Sequence, residues 1–231
     1  MKLKFLSLVF FIAVAANADA QNSSLFLKAG LNLANVSISD NGSVDDAKML
    51  VGFHVGLQGD IAVVKKLLYI QPGLFFTGKG TKTQTGNTTD ASYYRATSNP
   101  WYIEVPVNMV VKFPLADKTA QFFAGAGPYG AIGIAGKNKV DGKILGVAFS
   151  SNENIKFSND DPTTSQEEGA GFGIIRRFDY GINATAGFEG EAMMFSVNYG
   201  LGLAKLQSGS DSNEDDKNKH RVLSITVGFR L

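Results

Sequence analysis

The stretch WYIEVPVNMVVKF, residues 101–113, decides the fold. As one block it is contradictory, greasy enough for a core yet interrupted by Glu104 and Pro106. Alternate side chains of a strand leave opposite faces, and the contradiction then disappears. Trp101, Ile103, Val105, Val107, Met109, Val111 and Phe113 share one face. Tyr102, Glu104, Pro106, Asn108, Val110 and Lys112 share the other. The first face is apolar with an aromatic at each end. The second carries a carboxylate, an amide and an ammonium. Pro106 cannot donate to a ladder, so it predicts a local bulge or an interrupted pairing. Pro72 and Pro128, on the neighbouring segments, point to a kink shared across strands.

The same period of two recurs in eight segments, near residues 25–34, 51–63, 68–77, 101–113, 121–134, 178–189, 195–204 and 223–231. They run to roughly 11–15 residues, whereas soluble strands average about 5–6 and a tilted strand crosses a bilayer in about 9–11. The connections alternate in length. Residues 39–48, 80–100, 136–171 and 207–219 form long polar ones; residues 64–66, 114–118 and 190–191 form short ones. Long loops at one end and tight turns at the other are the plan of a barrel with an outer and a periplasmic rim. The fold class is therefore all-β: an eight-stranded antiparallel transmembrane up-and-down barrel.

The composition of the polar face says which side it occupies. Gly, Ala, Ser, Thr and Asn dominate it, which suits the crowded interior of an eight-stranded barrel. A soluble surface would be rich in Lys and Glu. The apolar face then meets lipid, with Trp101, Phe113, Phe122, Phe178, Phe188, Phe195 and Phe229 expected at the two membrane interfaces. The inward charges form a predicted lumen network. Lys28, Asp60, Lys112, Glu189 and Arg230 belong toward the periplasmic end, and His54, Glu104 and Asp179 toward the middle and outer half, with Lys79 as the expected partner of Glu104. Both signs occur at both levels, so pairing is expected, since a lone buried charge costs several kcal/mol.

The chain has 231 residues, no cysteine, 26 Gly and 17 Phe. Lys2 and Lys4, an apolar run from Leu6 to Ala16 and two A-x-A patterns ending at Ala18 and Ala20 read as a cleaved signal peptide over residues 1–20. Residues 21–231 then form the barrel. The signal removes two lysines and one aspartate, leaving a neutral mature chain with no case for nucleic-acid binding.

The segments Tyr102-Ile103-Glu104-Val105-Pro106, FDYGINATAGFE (residues 178–189) and the C-terminal VGFRL make the chain resemble the small eight-stranded outer-membrane barrels of Bacteroidetes, the PorT-like family. The resemblance covers essentially the whole mature chain. It implies a bacterial outer-membrane location and, through the family's name-giving members, a link to a protein secretion system.

The remaining motifs are weaker. Gly125-x-Gly127-x-x-Gly130 has the spacing of a dinucleotide fingerprint, but no helix pattern comes after it, so it reads as a glycine-rich strand. Asp211, Asn213 and Asp215 begin like a calcium loop, yet Asp216 stands where glycine is needed and Val222 where the bidentate acid belongs. Catalysis by His220 with Ser208, Ser210 or Asp211 at the rim would suit a lipid-modifying enzyme, but no spacing fixes a triad. No catalytic residue, cofactor or metal is expected. The expected partners are outer-membrane lipid and other envelope or secretion proteins. The functional expectation is a non-enzymatic scaffold acting through its long outer loops or periplasmic turns, with a narrow channel as the alternative.

Overall fold

The computed structural model describes residues 23–37, 47–64, 66–115, 119–158, 174–206 and 219–231. The signal segment and the calcium-loop mimic at residues 211–216 lie outside them. In chain order the strands are β1 (Ser23–Ser37), β2 (Ala47–Lys48), β3 (Leu50–Val64), β4 (Leu68–Gly78), β5 (Thr81–Thr85), β6 (Tyr93–Pro114) and β7 (Gln121–Ile144). Next come β8 (Val147–Asn154), β9 (Lys156–Phe157), β10 (Ile174–Ile175), β11 (Phe178–Glu189), β12 (Met193–Gly202) and β13 (Lys219–Arg230).

Eight of these close a barrel. β1, β3, β4, β6, β7, β11, β12 and β13 each pair antiparallel with the next, and β13 pairs back onto β1. Closure leaves no edge to be stranded in hydrocarbon, where each unpaired peptide group would cost several kcal/mol. The parity read from the sequence sets the two surfaces. Leu31, Phe53, Leu74, Met109, Ile182 and Ile225 stand exposed on the outer wall, while Asn32, Gln71, Lys112 and Thr226 are buried inside.

The ladder is interrupted along one seam. β3 and β4 pair up to Gln58–Gly73 and resume at Ile61–Ile70. β4 and β6 stop at Pro72–Val107 and resume at Phe75–Glu104. β6 and β7 stop at Pro106–Tyr129 and resume at Met109–Ala126. Each gap contains one proline, respectively Pro72, Pro106 and Pro128. The register is the same on both sides, so Pro106 produces the expected ladder break and no bulge. Bulges occur elsewhere. One lies between Ala62 and Val64 near the short turn to β4. The other sets Trp101 opposite Ala135 but Tyr102 opposite Gly133, leaving Ile134 unopposed.

Above that second bulge the structure departs from the expected loops. Much of residues 80–100, and most of residues 136–158, is not irregular. β6 and β7 continue as one hairpin to Tyr93–Lys143, with β5 added on the β6 side and β8 on the β7 side. β2 pairs with the outer side of β5. The outer rim thus carries a projecting antiparallel sheet. Its polar composition resembled loop because no bilayer demands strict alternation there. β7 turns into β8 through Leu145 and Gly146, both at positive φ, the paired left-handed conformation of a two-residue hairpin.

Eight strands make a narrow lumen, and glycine is required where neighbouring backbones crowd it. A Cβ on Gly127 would collide with the Val107 carbonyl oxygen, whereas one on Gly130 meets nothing within 4 Å. Gly127→Val should therefore cost about 3 kcal/mol or more through overpacking against backbone that cannot yield. It should abolish the compact, heat-modifiable species on detergent gels, while Gly130→Val, on the outer wall, retains it. Equal behaviour of the two variants would contradict this packing.

Candidate functional site: the lumen and its two closures

The inward side chains stack in layers from the periplasmic end upward. At the bottom Lys112 Nζ lies 2.6 Å from Asp60 and also pairs with Glu189. Arg230 reaches Glu189 at 2.7 Å, and Gln71 Nε2 donates to Asp60 at 2.8 Å. The Lys112 ammonium stands 4.1 Å from the Tyr69 ring centroid, and the Arg230 guanidinium 5.2 Å from that of Phe26. Lys28 is buried in the same half. Beside these charges Phe26, Val110, Phe123 and Met194 form a fully buried apolar cluster. Charges and cluster together fill the periplasmic end of the lumen.

A neutral belt lies above them. Asn32 Nδ2 donates to Thr77 Oγ1 and to the Gly78 carbonyl, both at 2.9 Å. Its Oδ1 accepts from Ser224 at 2.8 Å and lies 2.7 Å from His54 Nδ1. His54 Nε2 contacts Thr226 Oγ1 at 3.0 Å, and Asn198 Nδ2 donates to the same hydroxyl at 2.8 Å. His54 is thereby held on both ring nitrogens as a bridging residue. A cavity of about 80 Å³ lies between this belt and the next layer, room for a few water molecules.

The outer layer centres on Lys79, just past the end of β4. Its Nζ lies 2.6 Å from Glu104 and 2.8 Å from Asp179. It also stands 4.0 Å from the centroid of the Tyr129 ring. The Tyr129 hydroxyl donates to Asp179 at 3.2 Å, and Asn183 Nδ2 to Glu104 at 3.3 Å. Tyr102 meets His220 edge to face, with Oη and Nε2 3.3 Å apart.

A second apolar cluster closes the outer mouth. Val36, Ile155, Ile175 and Leu206 are buried together, with Phe157 packed against them. The Phe157 ring lies over Gly133 and 5.9 Å from Tyr102. Parallel pairing of β9 with β10 and backbone bonds from Ile155 to Gly136 and from Arg176 to Leu206 hold this cover in place.

The eight residues expected in the lumen all take inward positions, and Glu104 has Lys79 as its partner. Arg230 is the most exposed, at the periplasmic rim, with only its head group engaged. The seven aromatics expected at the interfaces lie on the outer wall. Phe113, Phe122 and Phe188 form a contiguous band near the periplasmic end, with Phe195 paired to Phe188. Trp101 stacks on Phe76 and tilts against Phe53 at the other rim. His220, weighed as a rim residue, stands near the outer end of β13 and is inward and almost wholly buried. Both apolar closures escaped the sequence reading. Phe26 and Phe123 sit on the polar parity near the same rim, a signal that could have revealed the lower one.

Removing the one cation that neutralises two buried carboxylates strands both. Lys79→Met should cost about 3–5 kcal/mol in urea unfolding from lipid vesicles. Combining it with Glu104→Gln and Asp179→Asn should recover at least half of that loss. A single variant as stable as the parent would show the pairing to be immaterial.

Residues 19–208 match the family described as outer membrane protein beta-barrel domain. No curated protein matches the chain. Among solved structures it is similar to Ail, the attachment invasion locus protein of Yersinia pestis, crystallised in complex with the heparin analogue sucrose octasulfate. That similarity has 13% identity over 91% of this chain and 100% of the other, with a TM-score of 0.40. It is also similar to the translocator domain of the autotransporter NalP from Neisseria meningitidis. Identity there is 9%, over 100% of this chain and 96% of the other, with a TM-score of 0.27. The chain belongs to the outer membrane protein beta-barrel domain family, and its place is the bacterial outer membrane.

Proposed function

We propose that this barrel is a non-enzymatic scaffold that anchors its projecting sheet in the outer membrane and engages another envelope or secretion protein there. The observation that carries the reading is the contrast between a filled lumen and an open sheet edge. Charges and aromatics obstruct the periplasmic half, and the Ile155–Ile175 cluster covers the outer mouth. β8, by comparison, pairs with β7 alone among the described residues, and all eight of its residues are exposed. Exposed edges are pairing templates that proteins usually blunt with charge or proline. Residues 147–154 carry one acid, Glu153, and no proline. Adding a partner strand to such an edge is an established mode of recognition. His220, the residue weighed for a lipid-modifying reaction at the rim, is buried against Tyr102, which favours the scaffold reading.

A photo-crosslinker at Ser150 in intact cells should capture a discrete protein adduct, and the same probe at Ile182 on the lipid wall should not. Lipid-only adducts at both positions would sink the scaffold reading. The purified barrel in planar bilayers should give no steady conductance, because paired charges and the Phe26 cluster occupy the lower layer. Stable single-channel steps would favour the channel instead.

A further inference from the structure

The projecting sheet has two faces of opposite character. One face continues the lipid wall: stepping up β6 from Trp101, it presents Asn99, Thr97 and Arg95. Register places Lys137 opposite Asn99, and Lys139 and Lys82 on either side of Thr97. Asp141 opposes Arg95, and Lys143 opposes Tyr93. On β8 the same face shows Ala148, Ser150, Asn152 and Asn154. It therefore holds five cations and one carboxylate among the described residues. The opposite face of these four strands carries Thr81, Thr83, Ser98, Asn138, Val140, Phe149 and Glu153, with no cation among the described residues. Random scatter of lysines on a solvated sheet would populate both faces.

That one carboxylate is already committed. Arg95 binds Asp141 through both Nε and an amino nitrogen, the shortest contact being 2.6 Å. The pairing raises the guanidinium's pKa further above its ordinary value. Lys82, Lys137 and Lys139 form no ion pair among the described residues. At roughly 3.4 Å per residue and a tilt of about 40°, Lys137 stands about 5 Å and Lys139 about 10 Å above the level of Trp101. Trp101 marks the interface, and the head-group layer beyond the hydrocarbon is about 5–7 Å deep. Lys82 and Lys139 lie about 10 Å apart across two strand spacings. Lys137 therefore falls within the head-group layer, and Lys82 and Lys139 start a few ångströms beyond it, at a distance that a lysine side chain spans when it bends back toward the outer-leaflet phosphates.

We infer that the lipid-side face of the projecting sheet is a binding surface for the phosphate groups of an anionic outer-leaflet glycolipid, with Lys82, Lys137 and Lys139 as its cations. Asn99, Asn152 and Asn154 stand on the same face as neutral donors. The surface does not depend on which partner the β8 edge takes, since it uses the face and not the edge.

The test uses the folded full-length barrel in zwitterionic detergent, titrated with lipid A in mixed micelles. Binding is followed by the emission of Trp101, the sole tryptophan. Phosphorylated lipid A should give a saturable change that weakens with added salt, and enzymatically dephosphorylated lipid A should bind at least about tenfold more weakly. The variant Lys82→Gln, Lys137→Gln, Lys139→Gln should lose at least about tenfold in affinity, given roughly 1 kcal/mol per cation near an anionic surface. The heat-modifiable shift verifies that the variant is folded. Equal binding of the two lipids, or an unchanged triple variant, overturns the proposal. So does tighter binding of a soluble sulfated glycan, which would reassign the face to polysaccharide.

Discussion

Everything in this molecule depends on the rule that a peptide group cannot stay unpaired in hydrocarbon. A sheet in lipid must therefore close, and this one closes when β13 returns to β1. Closure at eight strands leaves an interior only wide enough for side chains. The inner wall must then hold residues small enough to fit, such as Gly127, together with a few large ones that fill the remaining space. Even the prolines respect this limit. Pro72, Pro106 and Pro128 interrupt three ladders without shifting the register. The barrel loses hydrogen bonds locally and keeps its closure.

The charged layers arise from the same narrowness. An ammonium inside such a lumen cannot keep its hydration shell, so its solvation must come from carboxylates and aromatic faces. Lys112 and Lys79 each meet two acids and one tyrosine ring at close range. Such clusters contribute little net stability after the desolvation cost. Their geometric demand is strict, however. The Lys79 layer joins the end of β4 to β6, β7 and β11, and a slip of one residue would turn each partner outward into lipid. Specification of register across the barrel is thus the stronger role for these pairs.

The membrane-spanning fold was legible in the sequence because lipid enforces strict alternation. The inward charges could be placed from parity, and adjacency of the neighbouring strand suggested Lys79 as the partner of Glu104. Legibility failed where that enforcement ends. The apolar plug of Phe26, Val110, Phe123 and Met194 occupies the polar parity, since a lumen filled by side chains accepts apolar volume as readily as paired charge. The outer sheet was hidden because its two faces differ in charge and not in hydropathy. His220 was weighed only by its nearness to the rim, although its parity with Ser224 and Thr226 already set it on the inner wall.

The bulge at Ile134 marks the change of environment along β7. Below it, the pair β6–β7 must alternate for lipid and lumen. Above it, the same two strands alternate for water and the outer leaflet. An inserted residue adds local twist and re-aims the strand beyond it. It also flips the parity of β7 relative to its own lower half. Without the flip, Lys137 and Lys139 would share the parity of the inward Tyr129 and Gly133. With it, they join Trp101 on the lipid side, while Asn138 and Val140 turn toward the axis. One unopposed residue at the girdle therefore assigns every β7 charge of the outer sheet to its face. The basic surface above the membrane is as much a consequence of barrel register as the ion pairs inside it.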